Sequence, residues 1–317
     1  MFISIIIPTY NNCVDLKKTL DSLAVQKVHY EDDYEVVVVD DGSTDDTKSI
    51  VEEAKSSIRH LTYVFRARDA KSCRSRTRNL GVHSSKGDIL TFLDSGVIVP
   101  HYFIEKTTQY FRTSTKKLVL VHYIYGLFAK YDEHVTLEYE QVSDLYENPH
   151  SIIHHHEFRD FRESLFESCN DQIQRLAAPW VLGWTAALTV HRSLSESVGG
   201  FDETFMGWGS EDTDFCYRIY KQGATFLATK KAYAIHIPQP VEQSADKWER
   251  NKLNRIKLHR KAYEFETELY PYFHGPYYIS YLDSLNTMIL SNVLPVYTHH
   301  DLLQLKRFTK EGQNSLL

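Results

Sequence analysis

The chain predicts an α/β fold, a mostly parallel sheet flanked by helices, with a helical appendage at the C-terminus. Two observations carry that expectation. Short β-branched runs alternate with stretches whose apolar residues recur at helical spacing. Pro8-Thr9-Tyr10, Asp40-Asp41 and Asp94 then each fall at the carboxyl end of an expected strand, where open sheets of this kind bind their ligands.

Residues 2–7 form a continuous β-branched run that suits a strand buried on both faces. Val14, Leu16, Leu20 and Leu23 give the following segment a helical stripe. Tyr34 to Val39 reads as a second buried strand, closed by Asp40-Asp41-Gly42-Ser43. Ser43 or Thr44 can cap a helix from Asp45 to about Ser56. A third strand spans Leu61 to Phe65, a helix Ser75 to Ser84, and a fourth strand Ile89 to Leu93. Residues 115–126 form another strand, and Ala187 to Val190 one more. Val198 to Glu203 is a turn, Asp212 to Gly223 a helix, and Thr225 to Tyr233 leads into Ala234-Ile235-His236. Asp132 to Asp171 is polar and His-rich, expected as helices with a mobile excursion. Residues 243–270 read as a charged helix, and 271–317 as a Tyr-rich helical segment. The organisation is thus a domain over 1–240, in halves 1–105 and 106–240. An extension at 241–317 follows and is a candidate homodimer contact.

Composition narrows the function. The 317 residues carry 36 Lys plus Arg against 42 Asp plus Glu, a net charge of −6, and no long basic run; a nucleic-acid partner is not expected. Hydrophobic residues make up 42%, enough for a substantial core. Cys13, Cys73, Cys169 and Cys216 are scattered without a C-x-x-C pair, which fits reduced thiols in a cytoplasmic protein. The N-terminus lacks a basic region and meets Pro8 at once, so it reads as a strand rather than a signal peptide. No apolar run reaches membrane-spanning length. That excludes an integral synthase and leaves peripheral contact with a membrane-bound acceptor open.

Acidic runs carry the chemistry. A carboxylate at Asp40 or Asp41 can accept from a base N–H or from ribose hydroxyls; equally, acidic turn residues cap helices. Tyr10 offers a ring to the base, and Pro8-Thr9-Tyr10-Asn11 beside the acidic turn favours nucleotide binding. Arg66, Arg68, Arg74, Arg76 and Arg78 cluster ahead of Asp94, and arginine suits phosphate recognition. In Gly207-Trp208-Gly209-Ser210-Glu211-Asp212-Thr213-Asp214, two glycines let a loop approach a ligand, and Trp208 offers a flat face to a sugar ring. The helix dipole is expected to hold Glu211 and Asp212 ionised, as a base must be. Trp180 and Trp184 either shape an acceptor pocket or pack in the core. His154-His155-His156 reads as a polar loop, because consecutive side chains do not share a helix face. The basic residues Lys247, Arg250, Lys252, Arg255, Lys257, Arg260 and Lys261 read as a solvated face, or as cover for a diphosphate or an acidic acceptor.

These runs, in this order, resemble inverting glycosyltransferases of family 2, which have the Rossmann-like GT-A fold. The segment from Trp208 also resembles animal galactosyl- and GalNAc-transferases. The resemblance covers roughly residues 2–105 and 178–240. It implies transfer of a sugar from a nucleoside diphosphate, UDP favoured, to an acceptor hydroxyl. The acceptor would be a glycan, a natural product, a lipid-linked chain or a peptide. It implies nucleotide contacts from Pro8, Thr9, Tyr10, Asn11, Asp40, Asp41, Arg78, Asp94 and Ser95, with Arg78-Asn79 matching a pair common in the family. It makes Asp212 the catalytic base and Glu211 its neighbour in the site, with Trp184, Trp208 and Gly209 toward the sugar or acceptor. Asp94-Ser95-Gly96 resembles the family's Asp-x-Asp signature, which implies a divalent cation, Mn²⁺ or Mg²⁺, held by Asp94 with His236. Gly96 departs from the signature, since it replaces the second acid. That departure keeps a non-catalytic nucleotide-sugar binder in view. A nucleotidyltransferase is the other alternative, but Thr9-Tyr10-Asn11-Asn12 is not the Gly-rich basic phosphate loop it needs.

Overall fold

The computed structural model describes residues 1–114, 117–126, 159–176, 178–237 and 245–264, together with residues 267 and 270. The excursion expected at 132–171 therefore lies outside the described residues up to 158, as do His154-His155-His156 and the whole Tyr-rich segment 271–317.

Among the described residues, eight strands form one sheet: β1 (Phe2–Thr9), β2 (Asp33–Asp40), β3 (Leu61–Phe65), β4 (Ile89–Leu93), β5 (Val97–Ile98), β6 (Leu118–Tyr125), β7 (Ala187–His191) and β8 (Thr225–His236). Their spatial order is β3-β2-β1-β4-β7-β6-β8-β5. The first half is parallel throughout: β1 pairs with β2 and β4, and β2 with β3. β7 then enters antiparallel between β4 and β6, β8 runs parallel to β6, and the short β5 closes the edge antiparallel to β8. The parallel half needs crossovers, and α1 (Cys13–Ala24), α2 (Thr47–Ala54) and α3 (Arg74–Ser84) supply them. Next come α4 (Phe103–Thr113), α5 (Glu163–Ser168), α6 (Arg192–Ser197), α7 (Glu211–Lys221) and α8 (Ala245–Ala262).

The β-branched run of β1 is buried because both faces of the sheet are covered. Ile5 and Ile7 join Leu16, Leu20, Val36 and Val38 on one face, while Ile6 joins Phe92, Val121, Leu188 and Phe215 on the other. This is the alternation of a pleated strand, apolar on both sides. Two details differ from the sequence expectation. Val14 is exposed, so the buried stripe of α1 begins at Leu16. α2 begins at Thr47 rather than Asp45, because the Asp45 carboxylate turns back to accept from the Thr47 N–H at 3.1 Å and hydroxyl at 2.5 Å.

Strand direction sets the site. Thr9 pairs with Asp40 at the ends of β1 and β2, and Ile6 with Phe92 in β4. Because β7 is reversed, its first residue, Ala187, stands beside Leu93 at the end of β4. β8 reaches the same edge at His236, paired with Val97. Three rings fasten α7 beneath that edge: Phe201 stacks on Phe215 at 4.3 Å, and Phe92 meets Phe201 edge-on at 5.0 Å. The Asn79 side chain clamps Phe201 in place, donating to its carbonyl at 2.9 Å and accepting from its N–H at 2.8 Å.

Candidate active site

The nucleotide side is built from the ends of β1 and β2. Pro8 is half-buried and Thr9 buried; the Thr9 hydroxyl lies 3.4 Å from that of Ser95. Asn11 takes a left-handed backbone, φ +46°, and bridges to the acidic turn. Its backbone N–H donates to the Ser43 hydroxyl and its side-chain Oδ1 accepts from the Thr44 N–H, both at 2.8 Å. Asp40 is committed to the fold: one oxygen accepts from the Ser43 N–H at 2.7 Å, the other from the Tyr63 hydroxyl at 2.6 Å. Asp41 accepts from Arg66 at 2.6 Å and from Arg68 at 3.0 Å. Arg68 also lies over the exposed Tyr10 ring, 3.9 Å from its centre. A planar group donating to Asp41 while stacked on Tyr10 thus already fits this corner. A cavity of about 270 Å³ opens beside it, lined by Asp40, Ser43, Asp45, Lys48, Tyr63 and Phe65.

The centre is an ion triad. Arg78, 2% exposed, donates to Glu211 and to Asp94, each at 3.0 Å. Burial alone would lower the Arg78 pKa, but Asp94 and Glu211 outweigh it and hold the guanidinium above its usual range. Arg78 therefore does not stand open toward a phosphate; it ties the tip of β4 to the start of α7. The same contact brings together runs 133 positions apart.

Asp212 follows Glu211 at the start of α7 and accepts from the Thr213 N–H at 2.7 Å. The dipole does not keep its pKa low, contrary to the sequence expectation. Enclosure of the carboxyl group and the neighbouring Glu211 push it up to about 7, against the pull of Arg78. Asp212 is thereby poised between its charged and neutral forms near neutrality, the range in which a general base is most effective.

Asp94 lies at the tip of β4, and His236 at the end of β8 pairs with Val97 three residues further on. Asp94 is half-buried, and its charge raises the proton affinity of His236 while burial lowers it more. His236 Nδ1 is buried and has no hydrogen-bond partner among the described residues. An orphaned imidazole nitrogen near a carboxylate fits a cation ligand, so these two residues suit the group that the Asp-x-Asp resemblance implies. Among the described residues no group of three His, Cys, Asp or Glu is placed to hold a metal ion. Gly96 stands at φ +95°, a backbone that an L-aspartate rarely adopts, which gives a local reason for the missing second acid.

Trp208 and Gly209 border Asp212 in the same loop and are half-buried. Trp180 is fully buried, meeting Tyr217 and Tyr270 edge-on, so it belongs to the core. The Asp94 N–H donates to Ala186 O at 3.2 Å, two residues after Trp184. Trp184 stacks on Phe161 and over the buried Arg162, and its indole N–H donates to Val181 O at 3.0 Å. Sequence reasoning expected a charged helix here, α8, but not its partner. Its Asn254, Lys257 and Lys261 bind the loop before α7 rather than forming a wholly solvated face. Their helical spacing was visible, but nothing local indicated their partner. A cavity of about 730 Å³ lies elsewhere, between α3 and α6, and none of the candidate site residues lines it.

Comparison with known proteins identifies the family. Residues 4–170 match glycosyl transferase family 2, and residues 181–240 match the N-terminal domain of galactosyltransferase. The chain is 31% identical over 254 residues to a validoxylamine A glucosyltransferase of Streptomyces hygroscopicus subsp. jinggangensis, covering 74% of this chain and 55% of the relative. The chain thus spans about half the length of that curated relative. Among solved structures, the mannosyltransferase PcManGT of Pyrobaculum calidifontis, in complex with GDP-Man and Mn²⁺, matches with TM-score 0.56 and 15% identity, over 98% of this chain and 80% of that one. S. aureus TarS 1-349 with UDP-GlcNAc matches with TM-score 0.54 and 18% identity, over 92% and 72%. At those identities the likeness shows a shared GT-A fold. The match over residues 4–170, more than half of the chain, settles the family: the chain belongs to glycosyl transferase family 2.

Proposed function

We propose that the chain transfers a sugar from a nucleoside diphosphate, UDP favoured, to an acceptor hydroxyl with inversion at the anomeric carbon. The observation that carries this reading is the Arg78 triad, which joins the Asp94 turn to the helix start bearing Glu211 and Asp212. Family membership and the nucleotide-sugar complexes of the two structural neighbours support the donor class.

In this reading Pro8, Thr9, Tyr10, Asn11 and Asp41 receive the nucleoside. Asp40 shapes the turn beneath them. Ser95 faces the ribose, and Arg78 acts by holding Asp94 and Glu211 in place. Asp212 takes the proton of the acceptor hydroxyl. That oxygen bonds to the anomeric carbon as the bond to the diphosphate oxygen breaks, and the diphosphate leaves with the electron pair. Glu211 orients the donor sugar or acceptor, and Trp184, Trp208 and Gly209 border it. Asp94 and His236 would hold a divalent cation, Mn²⁺ or Mg²⁺, whose charge neutralises the leaving diphosphate. Residues 1–105 are the nucleotide-binding half, 106–240 the acceptor half, and 241–317 an extension.

The test is a panel of UDP-, GDP- and dTDP-sugars, begun with UDP-glucose because the Streptomyces relative is a glucosyltransferase. Each donor is incubated with the protein and Mn²⁺, with and without oligosaccharide acceptors. The reading expects release of one nucleoside diphosphate, and a β-linked product from an α-linked donor. Tight donor binding with no turnover on any acceptor would favour the non-catalytic binder instead.

A further inference from the structure

The loop entering α7 cannot hold its own shape. Gly207, Gly209 and Ser210 all lie in the left-handed region, at φ +79°, +92° and +73°. Ser210 occupies the N-cap position yet makes no side-chain capping bond. An N-cap ordinarily has an extended backbone and a side chain that accepts from the first turn. A non-glycine residue in the left-handed region persists only where its surroundings impose it.

Those surroundings are α8. Asn254, buried to 7% exposure, donates through its amide nitrogen to Met206 O at 3.0 Å and to Gly209 O at 2.9 Å. One carboxamide thus closes both ends of the loop. Asn251 lies so close over Gly209 that an added Cβ would come within 2.0 Å of its amide nitrogen. On the same face, one and two turns on, Lys257 donates to Thr204 O, and Lys261 to Asp202 at 2.6 Å and Asp214 at 2.8 Å. Behind α7, the Tyr270 hydroxyl donates to that of Thr213 at 3.0 Å.

We propose that Asn254 is a positioning residue for Glu211 and Asp212: it fixes the 206–210 loop, and through it the aim of the carboxylates that follow. The inference rests on the reading of Asp212 as base. Among the described residues Asn254 makes its hydrogen bonds to the loop backbone, not to either acid, and acts through that backbone. It requires N–H donors of this reach, which an aspartate of the same shape lacks.

The test compares Asn254→Asp, Asn254→Ala and Asn254→Gln with the parent chain. The Asp and Ala variants are expected to lose about 10–100-fold in kcat with donor KM within about twofold, because a displacement of about 1 Å can cost about 10²-fold. Gln, which keeps the donors, recovers part of the loss. Hydrogen exchange is the second measurement and does not depend on turnover. Amides of residues 206–214 should exchange faster in the Asp and Ala variants, while those of β7 do not change. Unchanged exchange at 206–214 with wild-type kcat in Asn254→Asp overturns the proposal. Uniform acceleration across β7 as well also overturns it, since Asn254 then merely supports the whole fold. If Asp212→Asn keeps its turnover, the base assignment fails on its own; the exchange result still decides whether Asn254 holds the loop.

Discussion

Arg78 donates to Glu211 at 3.0 Å, from within α3 to the first residue of α7. The other arm of the guanidinium holds Asp94 at the same distance. Two acids that would repel each other are thus held at one crevice by one buried cation. Their spacing, and that of Asp212 beside them, depends on it.

Removing that cation leaves a buried carboxylate without compensation. Arg78→Met should lower stability by about 3–5 kcal/mol, the cost typical of breaking a buried pair by deleting one partner. Most of the effect comes from Glu211, because Asp94 is partly solvated. The double variant Arg78→Met/Glu211→Gln should recover part of the loss, since the orphaned charge goes with it. Urea titrations of the two variants measure both terms.

Asp212 gives a pH signature in stability as well as in rate. Its folded pKa is raised to about 7, above the ordinary carboxylate value. The folded state therefore binds more protons than the unfolded state over that interval. Its favourable contribution is complete below the unfolded pKa and is lost as pH rises toward 7. Asp212→Asn should then be more stable than the parent at pH 8, by on the order of 2–4 kcal/mol, with the gap closing near pH 4. In the parent, kcat should rise with pH through about 7 as the base ionises. Thermal melts and initial rates from pH 4 to pH 9 give both curves.

A cation held by Asp94 and His236 predicts that chelator stops transfer and that Mn²⁺ or Mg²⁺ restores it. His236→Ala should raise the Mn²⁺ concentration needed for half-maximal rate by roughly 10–100-fold, a range typical of residues that tune metal sites. Full activity in excess chelator would remove the metal from the scheme.

Asp160 and Arg162 are both fully buried and paired at 2.6 Å, with Arg162 also donating to Leu182 O and His122 O. Asp160 in turn accepts from Ile124 N–H at 2.8 Å, so the pair fastens its segment to β6 beneath Trp184. Asp160→Ala should destabilise the chain by about 3–5 kcal/mol. Donor KM at a permissive temperature should hardly change, because neither group reaches the nucleotide corner.

The strands of the first half were legible because β-branched runs are rare outside buried sheet. Their direction after β4 was not, since a strand buried on both faces looks the same either way; β7 turned out antiparallel. The acidic runs were legible as strand-end turns, and Asp40 and Asp94 do stand at the ends of β2 and β4. Side-chain commitments were invisible. Nothing local said that Tyr63 and Ser43 would occupy Asp40, or that Arg78 would face two carboxylates. The ionisation of Asp212 was misjudged because a local dipole was weighed without the burial and the Glu211 charge that outweigh it. The basic residues of α8 were countable, but the loop they grip lies about fifty positions upstream.

One measurement bears most directly on the whole account: transfer rate and UDP affinity of Asp212→Asn, determined side by side at pH 8. The proposed chemistry predicts loss of transfer by at least about 10²-fold, in keeping with removal of a general base, with UDP binding within about twofold of the parent chain. Transfer near the parental rate, with UDP bound as before, would contradict it.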